Sequence, residues 1–98
     1  MVVDKEKIKS ELVDYSNNIL AKYSEQDIVE SVSVMNTSEK IIFIGSVRVY
    51  NEESANKIQN DLEKEFKSYG NLVMRQEKVV PCCAPKFINI SFNISIDN

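Results

Sequence analysis

Residues 88–96 carry the feature that most restricts how this chain can fold. Every even position is apolar and every odd position between them is polar. The apolar residues are Ile88, Ile90, Phe92, Ile94 and Ile96. Successive side chains of a β-strand point to opposite faces of a sheet, so this period predicts a strand with one face in a core and the other in water.

The polar face of this strand is the predicted binding site. It consists of Asn89, Ser91, Asn93 and Ser95. Between positions 87 and 96 the chain has no lysine or proline, the residues that usually prevent an edge strand from pairing with another chain. If the strand is an edge, we expect it to pair with a second copy or with a strand of a partner protein.

Two stripes of apolar residues at helical spacing predict two helices. The first follows Asp4, a residue that can cap a helix, and predicts a helix over 5–23. The second follows Asn51. Gly70 comes after this second stripe, where a residue with a left-handed backbone is often found at the end of a helix.

Three further segments predict strands, at 27–35, 40–50 and 71–80. The polar turn at 36–39 has the length of a hairpin connection between the first two. In the second strand Ile42 and Ile44 are apolar on the face opposite Ile41 and Phe43, so we expect an inner strand that is covered on both sides at one end. Gly45 predicts a bulge or a close backbone approach.

The element order is therefore α-β-β-α-β-β. It predicts an α+β fold with one domain over 1–98, built as a four-stranded, mainly antiparallel sheet with two helices on one face. The order over residues 20–80 is similar to that of the cytoplasmic domain of cation diffusion facilitators, and Ser54–Ala55 before an amphipathic helix fits that layout. The histidines that carry metal in that family are absent here, and the final strand is additional, so no function is transferred.

Charge and hydropathy restrict the class of partner. The chain has 98 residues, a net charge of −3 and a pI near 4.9. Binding to a nucleic-acid duplex needs a dense basic face, so we expect no nucleic-acid partner. No apolar run approaches the roughly 20 residues of a membrane span, and the first residues lack a signal-peptide segment. We therefore expect no membrane partner and a cytoplasmic location.

Adjacent cysteines, Cys82 and Cys83, lie between Pro81 and Pro85. A structural zinc site needs four ligands, and this chain has no histidine and no further cysteine. A metal site would need the thiols of two chains, and the spacing is not the Cys-x-x-Cys of thioredoxin-like redox chemistry. Two small residues in a loop fixed by prolines is the favoured interpretation. A metal- or redox-responsive thiol pair is the alternative.

Catalysis finds little support in the sequence. Without histidine there is no triad, and the two glycines do not form a phosphate-binding loop. A small acidic cluster at Glu25, Asp27 and Glu30 is a minor candidate for a divalent cation. We therefore predict no enzyme and no cofactor, and a protein-binding module of inhibitor, immunity or regulatory type against a larger basic partner, possibly homodimeric through a sheet edge.

Overall fold

The computed structural model of the chain describes residues 4–25 and 27–97. Within them the elements follow the predicted order α-β-β-α-β-β, which confirms the α+β fold. In chain order the helices and strands are α1 (Lys5–Lys22), β1 (Ser33–Asn36), β2 (Lys40–Val49), α2 (Glu52–Phe66), β3 (Asn71–Val79) and β4 (Phe87–Asp97).

β4, the strand with the regular alternation, lies inside the sheet. The strand order is β1-β2-β4-β3, and each neighbouring pair is antiparallel. The prediction that β4 could pair with another chain as an open edge is therefore wrong, because β2 and β3 occupy both of its sides. The edges of this sheet are β1 and β3. β2 is an inner strand, as expected.

One face of the sheet packs against the helices. Phe92 of β4 and Phe43 of β2 are almost fully buried there, and residues of both helices belong to the same core cluster. Phe66 of α2 meets Phe92 edge-on with ring centroids 4.8 Å apart, and Tyr15 of α1 contacts Phe66 at 5.8 Å. The apolar stripe of α2 thus packs on the even-numbered face of β4, while α1 packs on α2 and on β1 and β2.

The helix starts agree with the predicted caps, whereas one predicted helix end does not. The side chain of Asp4 accepts a hydrogen bond from the backbone N–H of Lys7, and that of Asn51 accepts one from Glu53. Gly70 does not adopt a left-handed backbone, so its assignment as a left-handed residue after α2 is wrong. Glycine is needed at this position because the backbone of β4 approaches closely. A Cβ on Gly70 would collide with the backbone carbonyl oxygen of Ser95.

β1 is shorter than the predicted strand at 27–35. Only Ser33–Asn36 joins the ladder with β2. Upstream, the side chain of Asn17 on α1 accepts a hydrogen bond from the Val29 N–H (2.7 Å) and donates one to the Val29 carbonyl oxygen (3.0 Å). These bonds use backbone groups that a ladder would need, so this segment follows α1 instead of β2.

Gly45 provides space for an aromatic ring and does not form a bulge. The register of β2 with β4 is uninterrupted, and Gly45 lies directly opposite Phe92. A Cβ on Gly45 would stand 2.5 Å from the Phe92 Cζ. The absent side chain is what lets the Phe92 ring lie across the neighbouring strand.

Candidate functional site

The face of the sheet away from the helices, called here the open face, contains the predicted binding row. Asn93 is exposed at its centre, and Asn89, Ser91 and Ser95 are half-buried on the same face. Since β4 is an inner strand, its backbone groups are engaged with β2 and β3. A partner would therefore meet the side chains of the row, and not an unpaired strand edge.

The open face has an apolar end. Asn93 lies between Ile44 of β2 and Val73 of β3, and Met35 of β1 lies opposite Ile42. Val73 is 64% exposed, Met35 51% and Ile44 36%. The expectation that a second layer covers Ile44 is therefore not met within the described residues. Exposed aliphatic side chains that are contiguous on one surface are typical of interaction sites.

The other end of the open face is aromatic and charged. Asn89 lies between Arg48 of β2 and Glu77 of β3. The guanidinium carbon of Arg48 stands 4.9 Å from the ring centroid of Phe87, and the Tyr50 ring contacts Phe87 at 5.8 Å. Arginine and tyrosine are enriched among the residues that contribute most to protein–protein binding.

A groove of about 580 Å³ opens beside this face, along the part of β2 that has no β1 partner. One wall is formed by residues from the segment 27–33 and the other by residues 44–48 of β2; Asn89 and Ser91 also line it. Within residues 4–25 and 27–97, no backbone hydrogen bond joins 27–32 to β2. The groove therefore widens the open face along one side.

Charge in the groove is predominantly negative. Asp27 and Glu30 line one wall, and Arg48 belongs to the opposite wall. Ile28, between the two acidic residues, is 68% exposed. The groove thus combines apolar and acidic groups, a combination that suits basic side chains with long apolar stems.

Glu25, one of the three residues in the acidic cluster with Asp27 and Glu30, has a structural role. Both carboxylate oxygens of Glu25 accept backbone hydrogen bonds, from the N–H of Tyr50 (3.2 Å) and of Asn51 (3.0 Å). Glu25 therefore connects the turn after α1 to the start of α2. In the part of the chain that the structure describes, no group of three or more Cys, His, Asp or Glu residues could hold a metal ion.

Cys82 and Cys83 lie in the loop between β3 and β4. Both thiols are free and exposed, so neither fills a space in the core. Among the described residues they belong to no group of three or more Cys, His, Asp or Glu side chains that could hold a metal ion.

Two hydrogen-bonded groups with shifted pKa values join the helix layer. Tyr23 donates a hydrogen bond to the Asp61 carboxylate at 2.8 Å, which lowers the pKa of Asp61; a weaker contact with Lys22 acts in the same direction. The pKa of Tyr69 is raised to about 12, mainly by burial and secondly by the hydrogen bond that its hydroxyl donates to the Glu11 carboxylate at 2.7 Å. Each of these groups therefore has a partner on the other helix or at its end.

Sequence reasoning missed the apolar half of the open face. The apolar residues Ile42 and Ile44 are a usable signal, but their pattern predicts a strand covered on both sides and not an exposed apolar surface. Met35 and Val73 gave no signal of their own, because their place beside Asn93 depends on strand order and register.

Comparisons with known proteins identify no relative. The chain matches no protein-family model, and no curated protein or solved structure is similar enough to count as a match. Among the described residues, neither helix combines the length and apolar character needed to cross a bilayer.

Proposed function

We propose that this chain is a non-enzymatic protein-binding module whose binding surface is the open face of the sheet. The observation that carries the proposal is the exposed aliphatic group of Met35, Ile44 and Val73 around the polar row of β4. Exposed aliphatic side chains grouped on one surface are typical of protein–protein interfaces, whose cores are richer in apolar residues than the rest of the surface.

The partner we propose is a larger protein with a basic rim around an apolar patch. The net charge of −3 and the acidic wall at Asp27 and Glu30 favour a basic partner. The apolar end of the open face would contact the patch, while the groove would receive lysine or arginine side chains. An inhibitor, immunity or regulatory role in the cytoplasm fits such a surface.

A pair of matched substitutions tests this surface. Asn93→Arg places a bulky cation at the centre of the open face, and Asn60→Arg places the same change on the exposed side of α2. Proteins captured by the wild-type chain are identified, purified and titrated against both variants by calorimetry. A basic partner that binds wild type and Asn60→Arg equally, and Asn93→Arg at least about tenfold more weakly, supports the proposal. Equal binding to all three places the site elsewhere.

A thiol-based function remains the second candidate, favoured by the exposure of Cys82 and Cys83 on one loop. Zinc or copper bound in stoichiometric amount to the wild type, and lost in the Cys82→Ser, Cys83→Ser variant, would establish it. Partner binding that survives this double substitution would assign the function to the open face instead.

A further inference from the structure

β3 is the longer of the two edge strands. It extends over 9 residues, Asn71–Val79, whereas β1 has 4. Its inner side pairs with β4 without interruption, and among residues 4–25 and 27–97 no strand pairs with its outer side. An extended, regular edge of this kind offers backbone donors and acceptors to another strand.

Contacts with α2 hold this edge in place. The side-chain amide of Gln76 donates hydrogen bonds to Asn56 and Gln59, and Lys78 forms an ion pair with Glu52 at 2.9 Å. The helix-facing side of β3 is therefore engaged. On the open face the strand carries Arg75 and Glu77, which are exposed and form no ion pair within the described part of the chain.

Geometry restricts how two copies of β3 could pair. In an antiparallel ladder, opposed residues either exchange both backbone hydrogen bonds or exchange none. Successive residues of a strand alternate between these two kinds of pair. An axis between two residues would place residue i opposite residue i+1 of the other copy, which would require both to be of the same kind. The two-fold axis must therefore pass opposite a residue. An axis opposite Arg75 or Glu77 places like charges against each other, which destabilises the pair.

An axis opposite Gln76 removes this conflict. Arg75 of each copy then faces Glu77 of the other, so two opposite-charge pairs form by symmetry. At one step further from the axis Met74 faces Lys78, and Val73 then faces Val79. The 64% exposed Val73 gains an apolar neighbour, and Val80, which is 72% exposed, comes opposite Leu72.

We infer that two copies of this chain associate through their β3 edges in the register centred on Gln76. The two-fold axis is perpendicular to the sheet, so the helices of both copies lie on the same side. The result is one sheet continuous across the dimer, with the two open faces side by side. Pairing uses the strand edge and not the open face, so the inference does not depend on the proposed partner binding.

Charged residues on an edge strand ordinarily prevent pairing. Here Arg75 and Glu77 disfavour the registers centred on Arg75 or on Glu77, because like charges would then face each other. Only the register centred on Gln76 places Arg75 of one copy opposite Glu77 of the other. The same two side chains therefore specify the register and exclude its nearest alternatives.

Charge reversal and its rescue test the inference. Sedimentation equilibrium of the full chain, from low micromolar to millimolar concentration, measures the dimer dissociation constant. Arg75→Glu alone or Glu77→Arg alone sets like charges against each other twice, and each should raise the constant by about tenfold or more. Arg75→Glu combined with Glu77→Arg exchanges the two charges and should restore it to within a few-fold of wild type.

Controls separate register from net charge. Lys67→Glu and Glu63→Arg make the same charge changes at exposed positions on or beyond α2 and should leave the dissociation constant unchanged. Circular dichroism checks that every variant stays folded. A wild type that remains monomeric throughout, or a dimer that is unaffected by the single reversals, or a double variant that shows no rescue, would each overturn the inference.

Discussion

The two faces of β4 come from one regular alternation, yet they have different surroundings. Ile90, Phe92 and Ile94 are at most 1% exposed beneath the helices, whereas Asn93, between the last two of them, lies at the surface. Alternation along a strand therefore distinguishes its two faces well. It carries no information about the strands on either side, and those neighbours supply the apolar half of the open face.

Removing both faces together, by deleting β4, should have the largest effect on stability. Its fully buried residues each contribute about 1.5–3 kcal/mol, and three of them sum to roughly 5–9 kcal/mol, comparable with the about 5–15 kcal/mol of a whole domain. Because β4 also joins β2 to β3 in the sheet, a chain ending at Lys86 should not fold. A cooperative thermal transition by circular dichroism in that chain would contradict the prediction.

Single substitutions on the two faces should differ by several kcal/mol. Phe92→Ala should lower the free energy of unfolding by about 3–5 kcal/mol through lost transfer energy and the cavity left behind. Asn93→Ala, one residue along and exposed, should lower it by about 0.5 kcal/mol or less. Urea denaturation of both variants measures the difference. Similar losses would mean that the open face is covered in solution.

The same contrast should hold on β2 at neighbouring positions. Gly45 lies beneath the Phe92 ring, so Gly45→Val should force that ring aside and cost about 1–3 kcal/mol. Ser46 lies on the open face opposite Ser91, and Ser46→Val should change stability by about 0.5 kcal/mol or less. Equal costs in urea denaturation would show that Phe92 does not occupy the space over Gly45.

High pH should weaken the helix layer and leave the open face intact, which is the smallest effect expected. The pKa of Tyr69 is raised to about 12 in the folded chain from an ordinary value of 10.0. Its contribution is therefore complete below pH 10 and is lost as the pH rises through about 12. Tyr69→Phe should make the decline of stability over this range shallower. Tyr50→Phe, whose ring contacts Phe87 and not a carboxylate, is the control.

Local patterns predicted the elements well because their causes are local. The caps at Asp4 and Asn51, the hairpin turn and the β4 alternation depend on residues close in sequence. Strand order depends on contacts distant in sequence. β4 has no lysine or proline that would block pairing if it were an edge, but an inner strand has no need of such residues either. The charges at Arg75, Glu77 and Lys78 were the better sign, since they mark β3 as the edge.

The candidate site was predicted in part for the same reason. The polar row of β4 is on one face, as its period requires. Because β4 is an inner strand and not an edge, the row offers side chains, and not unpaired backbone groups, to a partner. Gly70 shows the limit of local rules. A glycine after an apolar stripe suggested a helix end, whereas the structure requires it because the Ser95 carbonyl approaches closely.

The position of β4 in the strand order also affects folding during synthesis. The β1–β2 hairpin and β3 are made before β4, but they share no ladder until residues 87–97 have left the ribosome. Until then β2 and β3 each expose one unpaired inner side, together with the apolar residues that later contact β4. Formation of the sheet must therefore wait for its central strand, and a nascent chain that pauses before Phe87 presents surfaces that chaperones bind and that aggregate readily.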